Sequence, residues 1–181
     1  MKFFDNLKAA FNRFSDKAYD ALMNPGETDA ELLRREISLW KKPNIRRVLQ
    51  WSDQGVKDPS GETPLILAAK FGRMELIAAL LDHGVDINQR AQYKDASGAL
   101  KPGYTAFFYA VINEQPAAAK LLLQRGILAD FTEGNGEEAW SAKVGACRDI
   151  LARKEFAEVA AILKARGNNP TAPKQPEPPA P

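Results

Sequence analysis

Between residues 58 and 126, apolar positions come in paired short runs, three of the four closed by a glycine. Leu65, Ile66, Leu67, Ala68 and Ala69 form one run, ended by Gly72. Leu76, Ile77, Ala78, Ala79, Leu80 and Leu81 form its partner, ended by Gly84. Thr63-Pro64 opens the first run. The Thr hydroxyl accepts from free N–H groups of the first turn, and Pro loses no hydrogen bond there. Gly72 tolerates the left-handed backbone that ends many helices. The pattern predicts one short helix from Pro64 to Gly72 and another from Glu75 to Asp82, with Ile77, Leu80 and Leu81 on one face. Ala68 and Ala69 are small enough for neighbouring helices to approach closely. So short a pair buries its faces only by stacking on another pair.

The pattern recurs. Gly103-Tyr104-Thr105-Ala106-Phe107-Phe108-Tyr109-Ala110-Val111 runs on to Ala119-Lys120-Leu121-Leu122-Leu123-Gln124-Arg125-Gly126, and the intervals Thr63 to Leu81 and Thr105 to Leu123 are both 18. Thr63 and Thr105 lie 42 apart, a period of 33 with nine extra residues within 89–102. A further 33 reaches Glu138, where a weaker copy begins and closes on Phe156 to Gly167. Upstream, Ala30-Glu31-Leu32-Leu33 and Ile45-Arg46-Arg47-Val48-Leu49 with Gly55 fit a degenerate first copy.

A period near 33 with a Thr-Pro-Leu opening resembles the ankyrin repeat. The resemblance covers Thr28 to Gly167, is strongest in the Asp58 copy, good in the Gly103 copy and weakest at the two ends. Three positions depart from the family pattern. Ile66 and Phe108 stand where a His is usual, Ala106 replaces Pro, and Glu114 stands where Gly72 stands one copy earlier. The implied fold class is an all-α repeat solenoid of helix-turn-helix units with short hairpin loops. The units are expected at residues 28–57, 58–90, 91–132 and 133–167, within a repeat region of 25–167.

Two flanking segments differ in character. In residues 1–24, Phe3, Phe4, Leu7, Phe11, Phe14, Ala18 and Leu22 recur at three- and four-residue steps, which predicts an amphipathic helix ended by Asn24-Pro25-Gly26. Asp5, Lys8 and Arg13 interrupt the apolar positions, so the stretch does not read as a signal peptide. Its Phe stripe either packs on the end of the repeats or docks on a membrane surface or partner. Residues 168–181 hold six of the twelve prolines and no Leu, Ile, Val or aromatic residue, so they are expected to form a flexible, Pro-rich tail.

Charge and composition narrow the function. Of 181 residues, 25 are Lys or Arg and 23 Asp or Glu, a net +2 that gives no global electrostatic case for nucleic acid. No apolar stretch reaches the roughly 18–20 residues of a membrane span. Cys147 is the one cysteine and His83 the one histidine, so neither a disulfide framework nor a Cys/His zinc site is expected. Gly134-Asn135-Gly136 lacks the context of a phosphate loop. His83 falls in the last turn of a repeat helix, where a cation complements the helix dipole, and Cys147 lies among Val144, Ala146 and Ile150 as a small buried filler. No catalytic residue, metal site or cofactor is expected, and the chain reads as a cytoplasmic protein without enzymatic activity.

The resemblance also implies a role: a protein–protein interaction module holding a folded partner on the concave face of the solenoid, as an inhibitor, immunity protein, scaffold or assembly factor. The family's variable contact positions fall on Lys57, Pro59, Ser60, Glu62, Lys70 and Phe71 in one copy and on Lys101, Tyr104, Ile112 and Asn113 in the next. Tyr93, Lys94 and Asp95 extend the finger between them. Tyr93 and Tyr104 are expected to be exposed, as aromatic anchors on a polar rim. Phe71, Phe108 and Ile112 have packing against the adjacent repeat as their other reading, and Phe108 and Tyr109 are left open between the two. The alternative is a peripheral adaptor at the inner face of a membrane, using Phe3, Phe4, Leu7, Phe11 and Phe14 with the basic first copy. There Arg34, Arg35, Lys41, Lys42, Arg46 and Arg47 outnumber Glu31 and Glu36 by four. Trp40 and Trp51, beside these charges, are expected at core edges.

Overall fold

The computed structural model describes residues 25–40, 42–94, 96–129 and 138–166, with residues 138–144 described by backbone alone. The predicted helix at 1–24 and the Pro-rich tail at 168–181 lie outside the described residues. Within them, eight α-helices form four successive pairs: α1 (Asp29–Leu39) with α2 (Ile45–Asp53), α3 (Pro64–Lys70) with α4 (Met74–Asp82), α5 (Ala106–Ile112) with α6 (Pro116–Gln124), and α7 (Glu138–Leu151) with α8 (Ala157–Ala165). A 3-10 turn, Lys154–Phe156, leads into α8.

The pairs stack in a line. In one layer α1 packs on α3, α3 on α5 and α5 on α7; in the other, α2 meets α4, α4 meets α6 and α6 meets α8. The inner layer carries the tightest packing because its sequences allow it. Leu65 to Ala69 are all fully buried, and Ala106, Ala110 and Val111 match them one pair later. Alanine at these places brings the helix axes together, and Phe107 and the paired leucines fill the space on either side. The result is a helical repeat fold with one continuous core from Leu32 to Leu163.

Local chemistry sets the helix ends. Thr63 caps α3 by accepting from the Ile66 amide at 3.4 Å, and Pro64 takes the first helical position. Thr28 and Glu31 form a reciprocal capping box on α1, and these hydrogen bonds from Thr28 hold the Glu31 carboxyl below its ordinary pKa. Gly72 ends α3 with φ +63°. Glu114, at the same place after α5, adopts φ 55° although it is not glycine. That conformation costs about 1 kcal/mol for a residue with a Cβ.

The all-α expectation meets one correction. The residues between the second and third pairs form a two-stranded antiparallel sheet, β1 (Arg90–Lys94) against β2 (Leu100–Thr105). Tyr93 sits opposite Lys101 and Gln92 opposite Pro102, but Arg90 lies opposite Thr105, so β2 carries one extra residue near Gly103-Tyr104. A bulge of this kind bends a strand and re-aims its side chains. Alternation accordingly stops there, and Gly103, Tyr104 and Thr105 are buried in succession. The extra nine residues supply the length for this hairpin, which continues directly into α5.

Candidate interaction surface

The finger of the second copy is a tight turn organised by one carboxylate. Asp58 accepts from the Ser60 amide at 2.9 Å and the Glu62 amide at 2.8 Å, and Arg34 of the first copy reaches it at 2.9 Å. The same guanidinium donates to Ser60 Oγ at 3.0 Å, so adjacent repeats are fastened through this turn. Gly61, at φ +77°, lies against β1, where the Gln92 amide donates to its carbonyl at 3.0 Å. A Cβ on Gly61 would fall 1.7 Å from the Gln92 carbonyl oxygen. Lys57 Nζ donates to Gln92 Oε1 at 2.6 Å. Turn and hairpin are therefore held side by side.

The expected contact residues fall into three groups. Lys57 and Ser60 lie on the finger and Tyr93 and Lys101 on the adjoining hairpin, Ser60 exposed and the others half-buried, Tyr93 less open than its expected exposure; Pro59 and Lys94 are exposed, and Asp95 lies outside the described residues. Phe71, Ile112 and Asn113 sit at the opposite ends of α3 and α5, all half-buried, with Phe71 and Ile112 packed against the core. Asn113 Nδ2 donates to the Tyr109 carbonyl at 2.8 Å. Lys70, at the end of α3, reaches back with its ammonium to the third group.

That third group corrects the expectation of exposure. Tyr104 is only 2% exposed, and its ring stacks on Phe108 with centroids 3.7 Å apart. Burial raises its phenol pKa, with the Cys147 and Tyr93 groups adding to the effect. The bulge turns Tyr104 inward over α5, so it is a core residue and not a rim anchor. Glu62 is likewise 4% exposed. Lys70 Nζ bonds both its carboxylate oxygens, at 2.8 and 2.9 Å, and lies 5.8 Å from the Tyr109 ring centroid. Desolvation, followed by the neighbouring Glu62 and Asp58 charges, pushes the Tyr109 phenol well above its ordinary pKa. Phe108, left open by its sequence, is buried.

His83 and Cys147 have structural places. His83 Nε2 lies 2.9 Å from Asp53 Oδ1 of the preceding pair, and Arg125, at the same place one pair later, bonds Asp82 at 2.6 Å. Arg166, the next equivalent, donates to the Ile127 carbonyl at 3.1 Å and to the Leu123 carbonyl. A cationic or imidazole side chain just before the glycine thus ties each outer helix to the previous one. The register of these three residues before Gly84, Gly126 and Gly167 was the available signal. Cys147 is fully buried, and desolvation pushes its thiol up to about 12, far from a reactive thiolate.

Open clefts lie among the described residues. One of about 270 Å³ is lined by Lys42, Pro43, Ile45 and residues 72–76; another, of about 190 Å³, lies between the α2 end and the start of α3. Neither lining includes His83 or Cys147. Among the described residues no group of three or more His, Cys, Asp or Glu side chains is placed to hold a metal ion, and no helix is long and apolar enough to cross a membrane.

A family model for ankyrin repeats, three copies, matches residues 38–133, more than half of the chain. The chain belongs to the ankyrin-repeat family. Ankyrin repeats are generally protein–protein interaction modules and typically non-catalytic. No curated protein matches the chain. The matched ankyrin copies begin inside α1 and end before α7, so the fourth helix pair lies beyond them. It still stacks on the preceding pair through α5–α7 and α6–α8.

Arg34, Gln92 and Trp40 went unassigned or misplaced in the sequence. Arg34 belongs to the basic run of the first copy, yet it crosses to Asp58 of the second. Trp40 reads as a core edge, yet it is 55% exposed beside Leu39 at 72%. Trp51 does lie at the core edge, buried, with the Arg47 guanidinium 4.3 Å above its ring.

Proposed function

We propose that this ankyrin-repeat protein is a non-catalytic module that holds a folded protein partner along the finger side of its repeats. Lys57, Ser60, Tyr93 and Lys101 make the principal contacts, with Lys70, Phe71, Ile112 and Asn113 further along α3 and α5. Such a protein masks or positions its partner, as an inhibitor, immunity protein, scaffold or assembly factor does. Glu62 and Tyr104 shape this surface from beneath.

The observation that carries the reading is the fastening of the hairpin. Tyr93 and Lys101 face each other on a finger tied to its neighbour by the Lys57–Gln92 and Gln92–Gly61 bonds. Side chains fixed before binding lose less freedom on association, and an aromatic anchor buries area with few rotors. The alternative of a membrane adaptor keeps its basic first copy, while its Phe3, Phe4, Leu7, Phe11 and Phe14 stripe lies outside the described residues.

The test is affinity capture from the native cell with the wild-type chain and with Lys57→Glu/Tyr93→Ser/Lys101→Glu, the two matched by circular dichroism. Proteins retained by the wild type are expected to be lost from the variant. Recovery of the same proteins on both would place the contact elsewhere.

A further inference from the structure

We infer that the end of the repeats opposite the fingers carries a contact site for an anionic lipid surface, built on Leu39, Trp40, Lys42 and Arg46. This end is identified by Arg73. Its guanidinium follows α3 and bonds the Ile37 and Ser38 carbonyls at 2.9 and 2.8 Å, so the C-terminal ends of α1 and α3 lie together, away from the Asp58 turn. The principal partner contacts proposed on the fingers, Lys57, Ser60, Tyr93 and Lys101, lie away from this end, whereas Phe71, Ile112 and Asn113 share it; substitutions confined to the fingers or to Leu39, Trp40, Lys42 and Arg46 therefore test the two readings separately.

Leu39 and Trp40 are the two exposed large apolar side chains at the end of α1, at 72% and 55%. Trp40 leaves the helix in extended conformation, with φ −81° and ψ 130°. Beyond it Lys42 and Arg46 are both exposed. Of the nearby acids, Glu36 accepts from the Asn44 amide at 2.6 Å, and the exposed Glu75 lines the adjoining cleft together with Lys42 and Arg73. A Trp and a Leu at an extended helix exit, flanked by cations, suit a bilayer interface. The indole sits at headgroup level and the cations meet anionic lipid.

Charge selects this occupant over two others. The chain's own residues 1–24 carry four basic and three acidic side chains, so they do not complement a basic surface. A second copy of the chain would set like charge against like across a symmetric contact. An anionic bilayer complements both the cations and the apolar pair. Each Lys or Arg near such a surface contributes about a fivefold factor in partitioning.

The experiment is co-sedimentation of the full chain with vesicles of phosphatidylglycerol and phosphatidylcholine in equal parts, and with phosphatidylcholine alone. Leu39→Ser/Trp40→Ser and Lys42→Glu/Arg46→Glu are run beside the wild type. All four positions are exposed, and unchanged melting curves would verify that the variants fold. The expected result is binding to the anionic vesicles that weakens as salt rises, with at least about a tenfold loss in each variant. A blue shift of tryptophan emission on adding vesicles is expected in the wild type and not in Trp40→Phe. Absence of wild-type binding overturns the inference, and so does equal binding by Leu39→Ser/Trp40→Ser, which would assign the affinity to another part of the chain.

Discussion

Glu62 and Tyr104 occupy the same place in successive helix pairs, one residue before the threonine that opens the inner helix, and both are buried. Eight residues further on, Lys70 and Ile112 again correspond. The second pair fills this buried position with an ion pair of 2.8 Å; the third fills it with a ring stacked on Phe108. The supports beneath differ as well. In the second pair a turn closed by Asp58 and Gly61 holds Glu62, whereas in the third a bulged strand delivers Tyr104. The backbone plan fixes which position points inward. Its chemistry is free to be polar or apolar, provided that a matching side chain reaches it: Lys70, eight residues on, for Glu62, and Phe108, four residues on, for Tyr104.

The largest expected effect comes from removing the apolar solution. Tyr104→Ala is expected to destabilise the protein by about 3 kcal/mol in urea unfolding, as loss of a buried ring does. A cost under about 1 kcal/mol would mean that the ring is not part of the core. Next is the contrast between the supporting glycines. Gly61→Ala forces a Cβ onto the Gln92 carbonyl and holds it at positive φ, a cost of about 2 kcal/mol or more. Gly103→Ala meets only Ala91, its nearest Cβ contact 3.2 Å away, and is expected to cost less than half as much. Equal losses at the two sites would erase the distinction between turn and strand.

Exchanging the two solutions is the sharper test. Lys70→Ile alone leaves the Glu62 carboxylate buried without its cation, and the expected cost is about 2 kcal/mol. Adding Glu62→Tyr makes the second pair resemble the third and is expected to restore at least half of that loss. No recovery in the double variant would show that the two pairs do not share a register. The smallest effect lies at the ends of the same helices, where Gly72 and Glu114 both take positive φ. Glu114→Gly removes strain but loses the exposed Arg153 contact at 2.7 Å, so a net gain of about 0.5 kcal/mol is expected in the unfolding midpoint. A loss instead would mean that the ion pair outweighs the strain.

Much of this was legible along the chain because the signals are local. Thr63-Pro64, Gly72 and Gly84 mark helix ends through backbone preferences that act within a few residues, and observed α3 and α4 fall within about two residues of the positions they predict. The place of Cys147 among small apolar residues likewise anticipates its burial. Tyr104, expected to be exposed, and Glu62, expected at a contact position, are buried for reasons that residue spacing alone does not carry. Tyr104 turns inward at a bulge defined by pairing with β1, and Glu62 tolerates burial because Lys70 returns to it from the far end of α3. Trp40 was misread in the other direction. Its large ring and neighbouring Trp51 have similar sequence surroundings, but only Trp51 has a neighbouring helix to cover it.

The sequence by itself determined the period, the helix ends and the apolar runs that make stacking obligatory, since each follows from residue type and spacing of at most a few turns. Tertiary structure alone decided which polar and aromatic side chains are exposed along the fingers and which lie beneath them. That choice depends on what an adjacent repeat brings within about 3 Å, as Arg34 does for Asp58 and Gln92 for Lys57. Partners 24 and 35 residues apart in the chain leave no imprint on the local pattern.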